Sequence, residues 1–414
     1  MSRKNFILII STIVIIMIGF FVFFYSSSKT GTGGGETTET TSPFGDVGAD
    51  KNFGTSTVTQ QTDQFSGGTL KPSNKLIQLY KNPTSGSVFF INKNNQNTLR
   101  FVDRAVGNVY EYLPEGQTGE VQRVTNTTIP KIQETVWSNT GNNLILRYLD
   151  NDTDNINSFS AKIQINTDLP DSLGEITGLF LPQNIKQIVI NPKGDKIFTL
   201  LNKSDKSGTY GSMSNLDGSN KKTVFDSQIS YWNISWPKEN TITFTTKPTY
   251  KDDGFLYFFN TQTYSIDRVL GNITGLSTIT NKDASLVAYS SSINNTFYFN
   301  IYDVLNKVSN NLQIPTLVDK CVWGNNNIKI IYCALPKNIP SDTYPDVWYQ
   351  GLVSFNDDIW KIDTETGNIE VVYQIGYDDG FDIDAFDLKI SPDDKYISFS
   401  NKKDLSLWLL EIND

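Results

Sequence analysis

The side chains able to do chemistry in this sequence are mostly carboxylates gathered into short runs, beside two cysteines and no histidine. Asp150, Asp152 and Asp154 alternate with Asn151 and Thr153, Asp357 and Asp358 are adjacent, and Asp378, Asp379, Asp382 and Asp384 crowd one loop. Tyr344, Trp348 and Tyr349 stand in an insertion, ALPKNIPSDTYPDVWYQGLVSFND from Ala334, which ends just before Asp358. Carboxyl groups paired at the right separation can perform glycoside hydrolysis. Alternating acids offer the one-in-two oxygen spacing of a calcium loop. Exposed Trp and Tyr beside polar groups stack on sugars or anchor protein partners.

Several chemistries are removed at once. Without histidine there is no Ser-His-Asp or Cys-His catalysis and none of the common zinc sites, and no G-x-S-x-G elbow occurs. The Asp150–Asp154 run lacks the glycine expected at the sixth position and the acid at the twelfth, where Asn155 and Ala161 stand. Its plain reading is a set of solvated loop acids, with calcium as the alternative. No other metal and no cofactor is expected, and the chain is read as non-enzymatic. A net charge of −9 with no basic stripe argues against nucleic acid as a partner.

Cys321 and Cys333 flank a turn at Asn325–Asn327 on two short apolar segments. Adjacent antiparallel strands would bring them within bonding distance, giving a structural disulfide if the compartment is oxidising. The alternative is a pair of buried thiols.

The elements that must position these residues repeat. A short apolar strand, a tight polar turn and a second apolar strand recur at Trp137 (WSNTGNNLILRYL), Ile190 (INPKGDKIFTLL), Trp236 (WPKENTITFTT), Thr280 (TNKDASLVAYSS), Trp323 (WGNNNIKIIYC) and Ser391 (SPDDKYISFS). A spacing of roughly 45 to 65 residues built from strands points to a β-propeller. The blades fall near 86–127, 132–168, 185–226, 229–270, 275–314, 318–375 and 386–412. The last supplies three strands, and Lys75–Lys81 (KLIQLYK) is the expected fourth, which closes the ring and removes a free edge. The fold expected over 74–414 is therefore an all-β, seven-bladed β-propeller, with six blades as the alternative.

SPDDKYISFS and NPKGDKIFTL resemble the WD40-like repeats of TolB-type propellers, whose usual form is S-P-D-G followed by an apolar strand. The resemblance covers most of 86–412. It implies the fold and little about function, since such propellers serve as scaffolds, as periplasmic interaction domains and as the propeller halves of serine peptidases. One copy carries S-P-D, and the others keep only polar turn residues. The chain is also similar to uncharacterised membrane-anchored bacterial propellers, which implies no activity.

Ahead of the repeats, Arg3 and Lys4 precede an uncharged run over 6–25, FILIISTIVIIMIGFFVFFY, long enough to cross a bilayer as a helix. Positive charge on the N-terminal side places residues 1–5 in the cytoplasm and the rest outside. Cleavage near Ser26–Ser28 is the alternative to a retained single-pass anchor. Residues 26–73 are Gly, Ser, Thr and Gln-rich and read as a flexible linker with a reach of roughly 35–40 Å.

Strand order separates the loops. Turns between a blade's first and second strands (A and B) and between its third and fourth (C and D) share one rim, and the BC and DA loops share the other. The AB turns are short, whereas the BC and DA loops carry the acids and the aromatic insertion. The expected binding face therefore comprises Tyr344, Trp348, Tyr349, Asp357, Asp358, Asp378, Asp379 and Asp382, offered to an envelope or secreted protein. The bland alternative tucks Trp348 onto the blade top. A carbohydrate-binding or carbohydrate-cleaving propeller using the same face is the second functional reading.

Overall fold

Alternating apolar residues between turn signals give antiparallel strands, and here they assemble into seven four-stranded sheets around one ring. The structure, a computed structural model, describes residues 75–412 apart from 117–118, 151, 166–172 and 378–379. The anticipated membrane span and linker, and the candidates Asp378 and Asp379, lie outside the described residues. Among the described residues no helix is long and apolar enough to cross a membrane.

The chain begins with β1 (Leu76–Tyr80). Blade one follows as β2 (Thr84–Ile91), β3 (Asn97–Asp103), β4 (Val109–Tyr112) and β5 (Gln122–Arg123). Blade two is β6 (Glu134–Trp137), β7 (Asn143–Leu149), β8 (Ile156–Gln164) and β9 (Glu175–Phe180). Blade three is β10 (Gln187–Ile190), β11 (Lys196–Asn202), β12 (Thr209–Asn215) and β13 (Lys222–Ser227). Blade four is β14 (Trp232–Lys238), β15 (Thr241–Thr246), β16 (Asp253–Asn260) and β17 (Ile266–Thr274). Blade five is β18 (Ser277–Thr280), β19 (Leu286–Ile293), β20 (Thr296–Asp303) and β21 (Val308–Asn311). Blade six is β22 (Cys321–Trp323), β23 (Ile330–Pro336), β24 (Asp357–Asp363) and β25 (Ile369–Tyr373). Blade seven is β26 (Ala385–Ile390), β27 (Tyr396–Asn401) and β28 (Leu407–Glu411), completed by β1, whose Leu76 pairs with Leu410. The ring thus closes by joining its two ends, as Lys75–Lys81 led one to expect.

Burial follows position in the blade. The second strands, sandwiched between neighbouring blades, are buried almost throughout, and every residue of β3 and β27 is buried. Such strands read as continuous apolar runs with hydroxyls at intervals. The outer strands alternate poorly, and β9 buries only Ile176. That weak pattern is why blade two was expected to end near 168, whereas its fourth strand is β9, at 175–180.

The polar AB turns have a physical role. Asn191 Oδ1 accepts from the amides of Asp195 and Lys196, Asn281 Oδ1 from Ser285 and Leu286, and Ser391 Oγ from Lys395 and Tyr396. Each turn therefore closes by the same side-chain-to-backbone device. The full S-P-D-D copy stands in the closing blade and bonds to both neighbours. Asp393 accepts from Asn97 Nδ2 of blade one at 2.9 Å, and Asp394 accepts from the amides of Asn325 and Asn326 of blade six at 2.7 and 2.8 Å. Cys321 and Cys333 pair directly across β22 and β23 and are joined as a disulfide.

Candidate functional site

The insertion between β23 and β24 folds into a cap with a core of its own. Tyr344, Val347, Trp348 and Phe355 pack with Phe297 and Leu317, and Tyr344 meets the Phe297 ring edge-on at 4.9 Å. One helical turn, α1 (Asp346–Tyr349), buries Val347 and Trp348. A segment this short is not stable alone, and its position is fixed by its anchors. Tyr250 of blade four donates its amide to Asp346 Oδ2 at 2.8 Å. In blade five, Ser292 Oγ donates to Tyr344 O at 2.5 Å, and Asn295 O accepts from Asp342 N at 3.2 Å.

Beneath the cap lies a charge cluster sealed from water. Lys320, Asp357 and Asp384 are each 0% exposed. Lys320 Nζ stands 2.8 Å from Asp357 Oδ2, bonds Asp384 Oδ1 and donates to Ala385 O at 2.9 Å. Asp384 also accepts from Trp348 Nε1 at 3.0 Å and from Phe355 N at 2.9 Å, while Asp357 Oδ2 accepts from Ala385 N at 2.7 Å. Two ammonium groups lie close to the Trp348 ring, Lys320 Nζ at 5.3 Å and Lys402 Nζ at 5.0 Å from its centroid. One ammonium against two carboxylates leaves a net negative charge in a dry site. Desolvation accordingly pushes the Asp357 carboxyl up to about 6, and the Asp384 charge adds to that rise while Lys320 opposes it. Asp357 Oδ1 has no hydrogen-bond partner.

This cluster joins the cap to blades six and seven. Asp384 also takes part through its backbone, its amide donating to Asn401 Oδ1 at 3.1 Å. Both carboxyl groups face one lysine and no solvent.

The expected binding face is therefore corrected in part. Tyr344, Trp348 and Asp357 are buried, and Trp348 is the keystone of the cap rather than an exposed anchor. Asp358 is largely covered, pairing with Lys337 Nζ at 3.1 Å and accepting from Ile375 N at 2.9 Å. Tyr349 remains on the surface at the edge of the cap, its hydroxyl donating to Asp319 Oδ2 at 2.8 Å. Desolvation pushes both groups above their usual ranges, and the neighbouring Asp319 charge adds to the rise at Tyr349. Asp382 is exposed beside Lys403. New to the face are Leu352 and Tyr377, 72% and 80% exposed on the loops either side of β24 and β25.

The rim is not acidic all the way round. Lys186, Lys203, Lys206, Lys247 and Lys251 occupy BC and DA loops of blades three and four. Asp150 spends its Oδ1 on the amides of Asp152 and Thr153 and on Thr153 Oγ1, a self-closing Asx turn. Among the described residues no group of three or more acids, cysteines or histidines is arranged to hold a metal.

Lys320 is the member that sequence reasoning did not single out, and Asp384 was read as a loop acid but not placed on the binding face. Each immediately precedes the first strand of a blade, Lys320 before Cys321 and Asp384 before Ala385, and a charge abutting an apolar strand start was the available signal.

No protein-family profile and no curated protein sequence matches this chain. Solved structures share its fold. An oligogalacturonate lyase from Vibrio parahaemolyticus is 9% identical, with 82% of this chain and 98% of that one covered, at a TM-score of 0.51. The tricorn protease is 11% identical, with 83% and 34% covered and a TM-score of 0.49. TolB from Acinetobacter baumannii is 11% identical, with 66% and 61% covered and a TM-score of 0.43. The chain thus spans about three fifths of that TolB and a third of the tricorn protease. At these identities the likeness concerns the fold alone, and the fold is the β-propeller that the TolB-type, WD40-like repeat resemblance implies, with the seven blades expected from the repeat count.

Proposed function

We propose that this protein is a non-catalytic binding scaffold, held by residues 6–25 in a membrane with its propeller outside the cytoplasm, and that its capped rim docks an envelope or secreted protein. The observation that carries the reading is the sealed Lys320–Asp357–Asp384 cluster. It commits the carboxylates and the tryptophan best suited to chemistry to fixing the cap across blades four to seven. A fixed cap presents Tyr349, Leu352, Tyr377 and Asp382 at little entropic cost to binding. The Cys321–Cys333 disulfide fits an oxidising compartment.

The test is affinity capture from source-cell envelopes with the full chain, beside a variant carrying Leu352→Glu and Tyr377→Ala. One protein retained by the parent and lost by the variant is the expected result. The competing sugar reading is tested on the same pair with a glycan array and a reducing-end assay. Glycan binding or turnover that the variant loses, with no protein captured, would replace the scaffold reading.

A further inference from the structure

Charge is segregated along this chain. Residues 186–251 hold ten lysines against four aspartates and one glutamate, a balance of +5 in a protein of net charge −9. Two cavities open in the same sector. One, of about 330 Å³, is an apolar notch between the outer strand of blade three and the outer strands of blade four, lined by Phe225, Ile229, Phe259, Tyr264 and Ile266. The other, of about 230 Å³, is lined by Lys186, Gln187, Thr209, Ser230 and Tyr231. Trp232 lines both, and its buried indole N–H has no hydrogen-bond partner.

Four lysines border these walls. Lys186 lines the second cavity, Lys247 Nζ lies 5.4 Å from the Tyr231 ring and Lys222 Nζ 4.5 Å from the Tyr264 ring. Lys203 pairs at 2.8 Å with Asp226, the one acid among the residues lining either cavity. Ile229, Tyr231, Tyr264 and Ile266 leave large apolar surfaces exposed around the openings. Contiguous exposed apolar surface rimmed by polar groups marks an interaction site, and here four lysines stand against one carboxylate around it.

We infer that the cleft between blades three and four binds an acidic peptide segment that inserts one aromatic or branched apolar side chain into the notch. Carboxylates of the segment would pair with Lys186, Lys222 and Lys247, the last two of which also sit over aromatic rings that hold them in place. This site is built by blades three and four rather than by the cap, and its occupancy does not depend on the reading given above.

Three acetylated, amidated pentapeptides test it by titration calorimetry on the full chain at low salt: Glu-Glu-Phe-Glu-Glu, Glu-Glu-Ala-Glu-Glu and Lys-Lys-Phe-Lys-Lys. The first binds at least about tenfold more tightly than the others, a difference equivalent to about 1.4 kcal/mol, and weakens as salt is raised. Lys222→Glu and Tyr264→Ala, both at exposed positions, each weaken it by a similar factor without moving the unfolding temperature. Equal affinity for the Phe and Ala acidic peptides would mean that charge alone is read, as by any polyanion, and would overturn the proposal. Preference for the basic peptide, absence of binding by the first peptide, or undiminished binding by both variants would overturn it too.

Discussion

Replacing Lys320 by methionine removes the only cation bonded to Asp357 and Asp384 while nearly preserving side-chain volume. Asp384 keeps Trp348 Nε1 and Phe355 N as donors, whereas Asp357 keeps only the Ala385 amide. Two uncompensated carboxylates in a site with no exposure cost about 3–5 kcal/mol, the usual penalty for breaking a buried pair by removing one partner. At about 2 °C per kcal/mol for a domain of this size, the unfolding temperature at pH 7.5 falls by roughly 6–10 °C. The pH dependence carries a second signature. A carboxyl whose proton affinity is raised by folding binds more protons folded than unfolded, so its contribution declines as pH rises. In the parent, Asp357 titrates near 6 against an ordinary 3.8. Stability from this group therefore falls by at most about 3 kcal/mol between about pH 4 and pH 6 and is flat above. Lys320→Met removes the charge that opposes the rise at Asp357 and carries the decline beyond pH 6, so the variant recovers on mild acidification. Thermal unfolding of parent, Lys320→Met and Asp357→Asn from pH 5 to 8 is the assay. A methionine variant that unfolds at the parental temperature, with parental pH dependence, would refute the reasoning.

Trp348→Ala should cost about 3–5 kcal/mol as a buried large-to-small change and should open 337–356 to limited proteolysis ahead of global unfolding. Asp394→Ala removes the acceptor of the Asn325 and Asn326 amides and should cost about 1–3 kcal/mol, with faster hydrogen exchange confined to the blade six turn. Cys321→Ala with Cys333→Ala releases a loop with a sequence separation of 12 and should lower stability by about 3 kcal/mol in the chain-entropy model, measured by denaturant unfolding against the oxidised parent.

The ring was readable because its signal is local and repeated. A polar turn residue, a glycine or aspartate and an apolar strand recur where each blade turns from its first strand to its second, and Ser391, Asn191 and Asn281 make the same bonds in different blades. β9 was missed because an outer strand buries one face poorly and Glu175–Phe180 carries little alternation. The disulfide was readable from two cysteines flanking a single turn. The site was less legible. Trp348 has the composition of an exposed anchor and of a buried keystone alike, and only the approach of Asp384, 36 residues away in sequence, decides between them. Lys320 was invisible for the same reason, since its two partners come from the start of β24 and from the loop before β26, which the ring brings together. The basic sector at 186–251 was present in the lysine count but was masked by the chain's overall acidity.

The central claim, that the capped rim is a docking face, is tested most directly by photo-crosslinking in living source cells. A photoreactive residue is placed in turn at Leu352, at Tyr377 and at Leu305, which is 86% exposed on the opposite rim. Discrete adducts to the same protein from Leu352 and Tyr377, absent from Leu305, are the predicted result. The same adducts from all three positions, or none from the capped rim, would contradict the claim.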